Sequence, residues 1–293
     1  MSLTLTDRFS TMAERYDVVL CDVWGVVHNS LVASPEAHDA LSRFRAQGGA
    51  VVLITNAPRP GAVVKRQLDK LGVPEHAYDA IVASGDVTRG VIAQRAGQSV
   101  FWVGPERDRP LFEGLDLSFT DVDKADYLVC TGLYHDENEK PEDYRDVFEK
   151  ARARNLYFVC ANPDLVVERG TELLYCAGAL ADLYHVMGGD VLYAGKPHAP
   201  IYEEALKRAA VAQGRTAPRR RVIAIGDSIR TDMKGAVKFG IDSLFVRRYS
   251  CRGVRRPRCA RPATVGDRLR ARRRAADRGD AQAGVVTTAG WCF

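Results

Sequence analysis

The chain has 293 residues, of which 46% are hydrophobic and 27% charged; this composition is typical of a folded globular protein and excludes an intrinsically disordered one. No apolar run approaches the roughly 20 residues that a membrane-spanning helix needs, and the N-terminal segment lacks the apolar centre of a signal peptide. The sequence therefore predicts a cytoplasmic protein without a membrane partner, long enough for a core domain and a second domain.

The basic residues are distributed unevenly along the chain. Residues 248–293 contain twelve arginines against three acidic residues, whereas residues 1–247 carry a net charge of −4. Three interpretations of this Arg-rich tail stay open: an arm that binds nucleic acid or an anionic surface, a disordered extension, and a stretch that is out of frame. Beyond Tyr249 the tail has no aromatic residue until Trp291, which favours disorder or a frameshift over a nucleic-acid partner.

Apolar runs alternate with amphipathic segments from the N-terminus onwards. Strands are predicted at residues 18–21, 51–54, 80–83, 99–103, 127–130, 156–160, 191–194, 221–225 and 243–246. Helices are predicted at residues 35–46, 60–71, 86–96, 141–154, 178–189, 198–212 and 232–239. The first of these helices has Ser34 as its N-cap and Pro35 in its first turn. This order predicts an α/β fold with a parallel sheet.

Four polar segments follow apolar runs, where parallel strands deliver ligand chemistry. They are Asp22, Thr55-Asn56, Gly195-Lys196-Pro197 and Gly226-Asp227-Ser228-Ile229-Arg230-Thr231-Asp232. Asp22 can attack phosphorus to form an aspartyl-phosphate, and Lys196 can neutralise both that carboxylate and a phosphoryl group. The oxygens of Asp22 and Asp227 suit Mg²⁺. Together the segments indicate one site for phosphoryl chemistry.

The spacing of these segments predicts a divided core domain. The long stretch between Thr55 and Lys196 has its own alternation of strands and helices and is large enough for an independent core. Predicted boundaries are 1–84 and 190–247 for the core, 85–189 for the inserted domain and 248–293 for the tail, with a linker at Gly188-Gly189.

The four segments resemble motifs I to IV of the haloacid dehalogenase (HAD) superfamily: a strand ending in DxD, a strand ending in Thr or Ser, a lysine, and a GDxxxxD-type segment. Gly195-Lys196-Pro197 and the segment from Gly226 to Asp232 are similar to the class IIA branch, whose members carry a C2-type α/β cap between motifs II and III. The resemblance covers residues 15–247. It implies a Rossmann-like parallel-sheet HAD core with an inserted α/β C2 cap, and a phosphatase of small phosphorylated metabolites.

The resemblance also implies a role for each residue of the motifs. Asp22 would be the nucleophile and a Mg²⁺ ligand, and the backbone carbonyl of Trp24 and the carboxylate of Asp227 would be the other protein ligands. Lys196 would hold the nucleophile and the phosphoryl group. Asp232 would orient Lys196 or the water around the metal.

Two residue pairs complete the implied site. Thr55 with Asn56 would bind the phosphoryl group. Asn162 and Asp164, in Asn162-Pro163-Asp164, resemble a substrate-facing loop of the cap, which is a weaker match. Because caps of this type often help to form dimers, a homodimer is a further expectation.

One position departs from the family pattern. Phosphatases of the family have a second aspartate, the general acid–base, two residues after the nucleophile, and Trp24 stands there. General acid–base catalysis contributes about 10²–10⁴-fold, so its loss predicts a slow phosphatase, one that needs a good leaving group, or one with a substitute acid. His28 is the candidate substitute; its alternative interpretation is a loop histidine that contacts the cap or solvent.

Three functions are compatible with these residues. The leading hypothesis is a Mg²⁺-dependent phosphatase that works through an aspartyl-phosphate. The alternative is a catalytically weak or inactive protein that binds phosphorylated metabolites, which Trp24 favours and intact Asp22, Lys196 and Asp227 oppose. A third hypothesis is another enzyme of the superfamily such as a dehalogenase, although Asp227 and Asp232 favour a metal that dehalogenation does not need.

Overall fold

Strands alternate with helices along the described part of the chain; the computed structural model describes residues 3–6, 8–29, 31–169, 172–246 and 285–288. In chain order the strands are β1 (Leu3–Thr6), β2 (Val18–Asp22), β3 (Ala50–Thr55), β4 (Ala80–Ala83), β5 (Ser99–Val103), β6 (Ser118–Phe119), β7 (Tyr127–Cys130), β8 (Tyr157–Cys160), β9 (Val166–Arg169), β10 (Glu172–Tyr175), β11 (Val191–Tyr193), β12 (Val222–Gly226), β13 (Asp242–Val246) and β14 (Val285–Thr288). The helices are α1 (Ser10–Ala13), α2 (Pro35–Ala46), α3 (Gly61–Lys70), α4 (Ser84–Ala93), α5 (Arg145–Ala153), α6 (Ala177–Val186), α7 (Ala199–Gln213) and α8 (Lys234–Phe239).

The core sheet is parallel throughout, with the strand order β1-β14-β13-β12-β2-β3-β4. Every residue of β2, β3 and β12 is buried, because helices cover both faces of the sheet. Leu41 and Leu68 from α2 and α3 pack on one face, and Ile201 and Phe239 from α7 and α8 pack on the other. This arrangement confirms the predicted Rossmann-like core.

Local signals account for the ends of several helices. Ser34 caps α2, because its hydroxyl accepts a hydrogen bond of 3.3 Å from Ala37 N, and Pro35 occupies the first turn as predicted. Gly214 and Gly240 end α7 and α8 with φ of 67° and 77°. None of the described helices combines the length and the apolar character that a membrane span requires.

A second sheet lies between β4 and β12 in the sequence. Its five parallel strands have the order β11-β8-β7-β5-β6. Phe158 of β8 packs on Phe148 of α5 and Tyr184 of α6, with ring centroids 5.2–5.7 Å apart. This unit confirms the predicted α/β cap inserted into the core.

The end of the cap differs from the predicted boundary at residue 189. Val191–Tyr193 pairs with β8 and belongs to the cap sheet, so the connection back to the core runs from Ala194 to His198. Gly188 and Gly189 are not a linker. Gly188 ends α6 with a φ of 88°, and Gly189 packs so closely on Tyr184 that a Cβ would lie 2.1 Å from its ring.

Five strands were not predicted, namely β1, β6, β9, β10 and β14. Strands β9 and β10 form an antiparallel hairpin that pairs with neither large sheet. Strand β14, from the Arg-rich tail, is a β-branched run that pairs with β13 and β1. For these four residues the structure gives a strand rather than disorder, and the interpretation of the rest of 248–293 concerns residues outside the described part.

Candidate active site

The strand order brings the predicted motifs together at one edge of the core sheet. Strand β2 ends at Asp22 and lies between β12, which leads to Asp227, and β3, which ends at Thr55. Since parallel strands end on the same side, these residues meet at the carboxyl edge of the sheet. Lys196 reaches the same place from the connection that follows the cap.

Lys196 and two carboxylates form a buried ion-pair network. Lys196 Nζ lies 2.6 Å from Asp22 Oδ1 and 2.7 Å from Asp232 Oδ1, and Lys196 is only 3% exposed. Burial alone would lower the pKa of Lys196, but the two carboxylates raise it well above its usual value, so the ammonium stays charged. Burial and the nearby charge of Asp232 raise the pKa of Asp22, and Lys196 opposes that shift.

The carboxylate of Asp22 is also fixed by the backbone. Val23 N donates a hydrogen bond of 2.7 Å to the same Oδ1 atom that accepts from Lys196. Asp232 Oδ2 accepts from Ser228 N at 3.1 Å, so both oxygens of Asp232 are engaged. Asp232 is therefore in direct contact with Lys196 and is itself held by the backbone of Ser228.

Three carboxylates lie close together at this edge of the sheet. Oxygens of Asp22, Asp227 and Asp232 lie within 4.8 Å of one another. Gly25 makes room for Asp227, because a Cβ there would lie 1.9 Å from Asp227 Oδ2, and its φ of 90° also favours glycine. A set of carboxylate oxygens fits a divalent cation such as Mg²⁺ or Ca²⁺.

The side-chain amide of Asn56 is engaged in contacts within the protein. Its Oδ1 accepts from Lys196 N at 2.7 Å, and its Nδ2 donates to Lys196 O and to Asp164 Oδ1, both at 2.9 Å. Both N–H groups of the amide are thus occupied. Thr55 Oγ1 accepts from Ala57 N at 3.3 Å, which leaves the hydroxyl hydrogen for an anion.

The predicted cap loop reaches the core at this point. Asn162 Oδ1 accepts from Asp164 N at 3.1 Å, so Asn162 shapes the loop and Asp164 contacts Asn56. Burial raises the pKa of the Asp164 carboxyl, and the hydrogen bond from Asn56 opposes that shift. Asn162 and Asp164 both line the cavity above Asp22.

That cavity has a volume of about 900 Å³ and opens between the core and the cap. Trp24 and His28 line it, and His28 is only 6% exposed. Other lining residues lie outside the four predicted segments and the predicted cap loop, namely Arg59, Gln67, Val166, Val167, Arg169 and Leu173. Four of these six residues belong to the hairpin β9–β10, whose sequence carries no motif.

Comparison with known proteins gives the family. Residues 19–118 match the sequence model of the haloacid dehalogenase-like hydrolases, and residues 193–272 match a second HAD-hydrolase-like model. A haloacid dehalogenase-like hydrolase from Brucella suis is 49% identical, with a TM-score of 0.76 over 82% of this chain and 88% of that one. The chain therefore belongs to the haloacid dehalogenase-like hydrolases.

Two curated relatives narrow the branch. The ribonucleotide monophosphatase NagD of Escherichia coli is 27% identical over 236 residues, which are 78% of this chain and 86% of NagD. The D-glycerol 3-phosphate phosphatase of Mycobacterium tuberculosis is 30% identical over 244 residues, 80% of this chain and 64% of that protein. Within the superfamily the chain is a class IIA member with a C2-type cap, in the branch whose named members are phosphatases.

Proposed function

We propose that the protein removes phosphate from a small phosphorylated metabolite with the help of Mg²⁺, through an aspartyl-phosphate on Asp22. The observation that carries this proposal is the buried network in which Lys196 Nζ lies 2.6 Å from Asp22 Oδ1 and 2.7 Å from Asp232 Oδ1. Phosphoryl transfer needs mainly positioning and charge stabilisation, which this network supplies. The names of the two curated relatives support a small phosphorylated substrate.

Mg²⁺ is the proposed metal. Asp22 and Asp227 would offer carboxylate oxygens and Trp24 its backbone carbonyl, whereas Asp232 is engaged with Lys196 and Ser228. When bound, the ion would offset negative charge on the phosphoryl oxygens. The chain's own contribution is to hold these oxygens in place around Gly25.

The proposed reaction has two steps. A carboxylate oxygen of Asp22 attacks phosphorus, the bond from phosphorus to the leaving oxygen breaks, and that oxygen takes a proton. Water then attacks the phosphorus of the aspartyl-phosphate, which releases inorganic phosphate and restores the Asp22 carboxylate. Lys196 offsets charge in both steps, and the Thr55 hydroxyl donates to a phosphoryl oxygen.

The leaving oxygen needs a proton donor within the cavity. The indole of Trp24 is not a general acid, and His28 lines the same cavity. We assign the acid–base role to His28. Since Trp24 stands in place of the family's aspartate, the enzyme should turn over nitrophenyl phosphate more readily than alkyl phosphates, because nitrophenolate leaves without protonation.

The test is phosphate release from a panel of phosphorylated metabolites and nitrophenyl phosphate, with and without Mg²⁺. Asp22→Asn should abolish release, and Lys196→Met should lower kcat strongly. Asp69→Asn, the same chemical change on the exposed face of α3, is the matched control and should leave release unchanged. Release that survives Asp22→Asn would contradict the proposal.

The second candidate is a protein that binds phosphorylated metabolites without turning them over, which Trp24 favours. It predicts that the folded native chain binds Mg²⁺ and inorganic phosphate but releases no phosphate from any substrate. Calorimetric titration with Mg²⁺ and then phosphate separates this outcome from a misfolded preparation.

A further inference from the structure

Arg59 lies between the active-site cavity and a second, smaller cavity. The second cavity has a volume of about 240 Å³ and is bounded by the core loop that follows β3 and by segments of the cap. Arg59 lines both cavities, whereas Asp22 and Lys196 line only the larger one. A substrate phosphorylated at one end and bound at Asp22 would extend along the wall that contains Arg59.

The backbone of Arg59 is fixed in place. A Cβ at Gly85 would lie 2.4 Å from the Arg59 carbonyl carbon, so the first turn of α4 packs directly on this loop. Gly85 N donates to Ala57 O at 3.1 Å, and Gly61 N donates to Asp86 Oδ1 at 2.9 Å. Arg59 therefore projects from a rigid support, which a specificity contact requires.

The Arg59 side chain is oriented by one carboxylate and keeps N–H donors for a ligand. Its Nε lies 3.6 Å from Asp108 Oδ1, on the cap's 3-10 helix Glu106–Phe112, and 42% of the Arg59 side chain is exposed. Guanidinium carries five donors in a planar fork, so one contact on the Nε side leaves the terminal N–H groups for a ligand. Asp108 is 4% exposed; burial raises the pKa of its carboxyl, and Arg59 opposes that shift.

The charged groups around the second cavity favour an anion. Three arginines line it, Arg59, Arg107 and Arg169, against two carboxylates, Asp108 and Asp136. Arg107 and Arg169 both contact Asp136 Oδ2, at 2.5 and 2.9 Å, so these three groups satisfy one another. Arg59 is the arginine of this set whose charge is least offset by neighbouring carboxylates.

We propose that Arg59 recognises a second anionic group on the substrate, a carboxylate or a phosphate at the end remote from the phosphoryl group that is removed. This inference rests on the proposed phosphatase function and names the substrate class as small phosphomonoesters with a second negative charge. A planar carboxylate can accept two parallel hydrogen bonds from the guanidinium.

The experiment compares substrates that differ in the second anionic group. The pairs are 3-phosphoglycerate with glycerol 3-phosphate and phosphoserine with phosphoethanolamine, and a bisphosphate joins the panel to separate phosphate from carboxylate. kcat/KM is measured for the native chain, Arg59→Gln and Arg59→Lys. The matched control is Arg66→Gln, an exposed arginine on α3. The ratio of kcat/KM within a pair is independent of the fraction of folded enzyme.

The native chain should prefer the member of each pair that carries the second anionic group. Arg59→Gln should lower kcat/KM for that member by about 10- to 100-fold, as expected for a hydrogen bond to a charged group. The kcat/KM for the member without the second anionic group should change little, and Arg59→Lys should keep part of the preference. An unchanged ratio in Arg59→Gln, with release that still depends on Asp22, would overturn the inference and leave the proposed function intact. If no substrate shows phosphate release that depends on Asp22, both the inference about Arg59 and the proposed function are contradicted.

Discussion

Asn56 holds the backbone of Lys196 through two hydrogen bonds, 2.7 Å from Lys196 N to Asn56 Oδ1 and 2.9 Å from Asn56 Nδ2 to Lys196 O. Lys196 lies in the connection between the cap sheet and the core, and Asn56 follows a core strand. The second N–H of Nδ2 reaches Asp164 of the cap. One amide thus joins the core, the cap and the residue that neutralises Asp22.

Asn56→Asp tests what the hydrogen bonds of Asn56 to Lys196 O and to Asp164 each contribute. The substituted carboxylate has no donor for Lys196 O and faces the Asp164 carboxylate, so we expect kcat to fall by about 10-fold or more and the free energy of unfolding to fall by about 1–3 kcal/mol. Adding Asp164→Asn restores a donor toward position 56 but not the bond to Lys196 O. The double variant should therefore regain stability and not kcat, as measured by urea unfolding and steady-state kinetics. The exposed Asn138→Asp is the matched control, and recovery of kcat in the double variant would show that the bond to Lys196 O is dispensable.

Gly25 and Gly48 offer a paired test of the metal site. Both have a φ of 90°, but a Cβ at Gly25 would collide with Asp227 Oδ2, whereas nothing lies within 4 Å of one at Gly48. Gly25→Ala and Gly48→Ala should each lose about 1–2 kcal/mol of stability through backbone strain. Only Gly25→Ala should weaken Mg²⁺ binding in calorimetric titration. Equal Mg²⁺ affinity in the two variants would mean that Asp227 can bind the ion from another position.

Trp24→Asp introduces the carboxylate that the family pattern has two residues after the nucleophile. We expect its rate with alkyl phosphates to rise relative to nitrophenyl phosphate, by up to about 10²-fold, because only alkoxide leaving groups need the proton. Trp24→Asn, which creates a similar space without an acid, should show no such gain. His28→Asn should act in the opposite direction and slow alkyl phosphates selectively. If both classes of substrate slow equally in His28→Asn, His28 is not the proton donor.

His198 should make the stability of the protein depend on pH. Its ring stacks on Tyr193 with centroids 4.3 Å apart. Burial, with Lys238 and Lys234 nearby, lowers the pKa of His198 to about 4, and Asp182 opposes the shift. An unfolded histidine has a pKa of about 6.5, so between pH 6.5 and 4 the unfolded chain takes up a proton that the folded chain does not. The free energy of unfolding should therefore decline as the pH falls through this window.

The measurement is urea unfolding at intervals from pH 7 to pH 4. His198→Phe keeps a ring against Tyr193 and removes the titration, so its stability should fall less steeply than that of the native chain. His185→Gln, on the exposed side of α6, should behave as the native chain does. If the free energy of unfolding falls with pH equally steeply in the native chain and in His198→Phe, His198 is not the source of the pH dependence.

The core strands and the motif residues at their ends could be predicted because each is marked within a short stretch of sequence. β2, β3 and β12 are continuous apolar runs buried on both faces, and Asp22, Thr55 and Asp227 stand where those runs end. The hairpin β9–β10 carries no such signal, because its strands pair only with each other and leave Leu173 66% exposed. The contacts of Asn56 depend on residues more than 100 positions away in the sequence, which no short motif encodes.

The end of the cap was misplaced for a related reason. Two consecutive glycines are typical of a linker, yet Gly188 and Gly189 serve the end of α6 and its packing on Tyr184. Only the pairing of β11 with β8, which requires residues from distant parts of the sequence, reveals where the cap sheet ends.

The position of Lys196 in the connection from cap to core has a consequence for engineering. A cap transplanted from a relative would have to end before Ala194, so that the native segment from Ala194 to His198 keeps its hydrogen bonds to Asn56. A junction at Gly188-Gly189 would instead leave β11 behind and remove an edge strand from the foreign sheet. The cap is thus an exchangeable module only if its return connection is treated as part of the core.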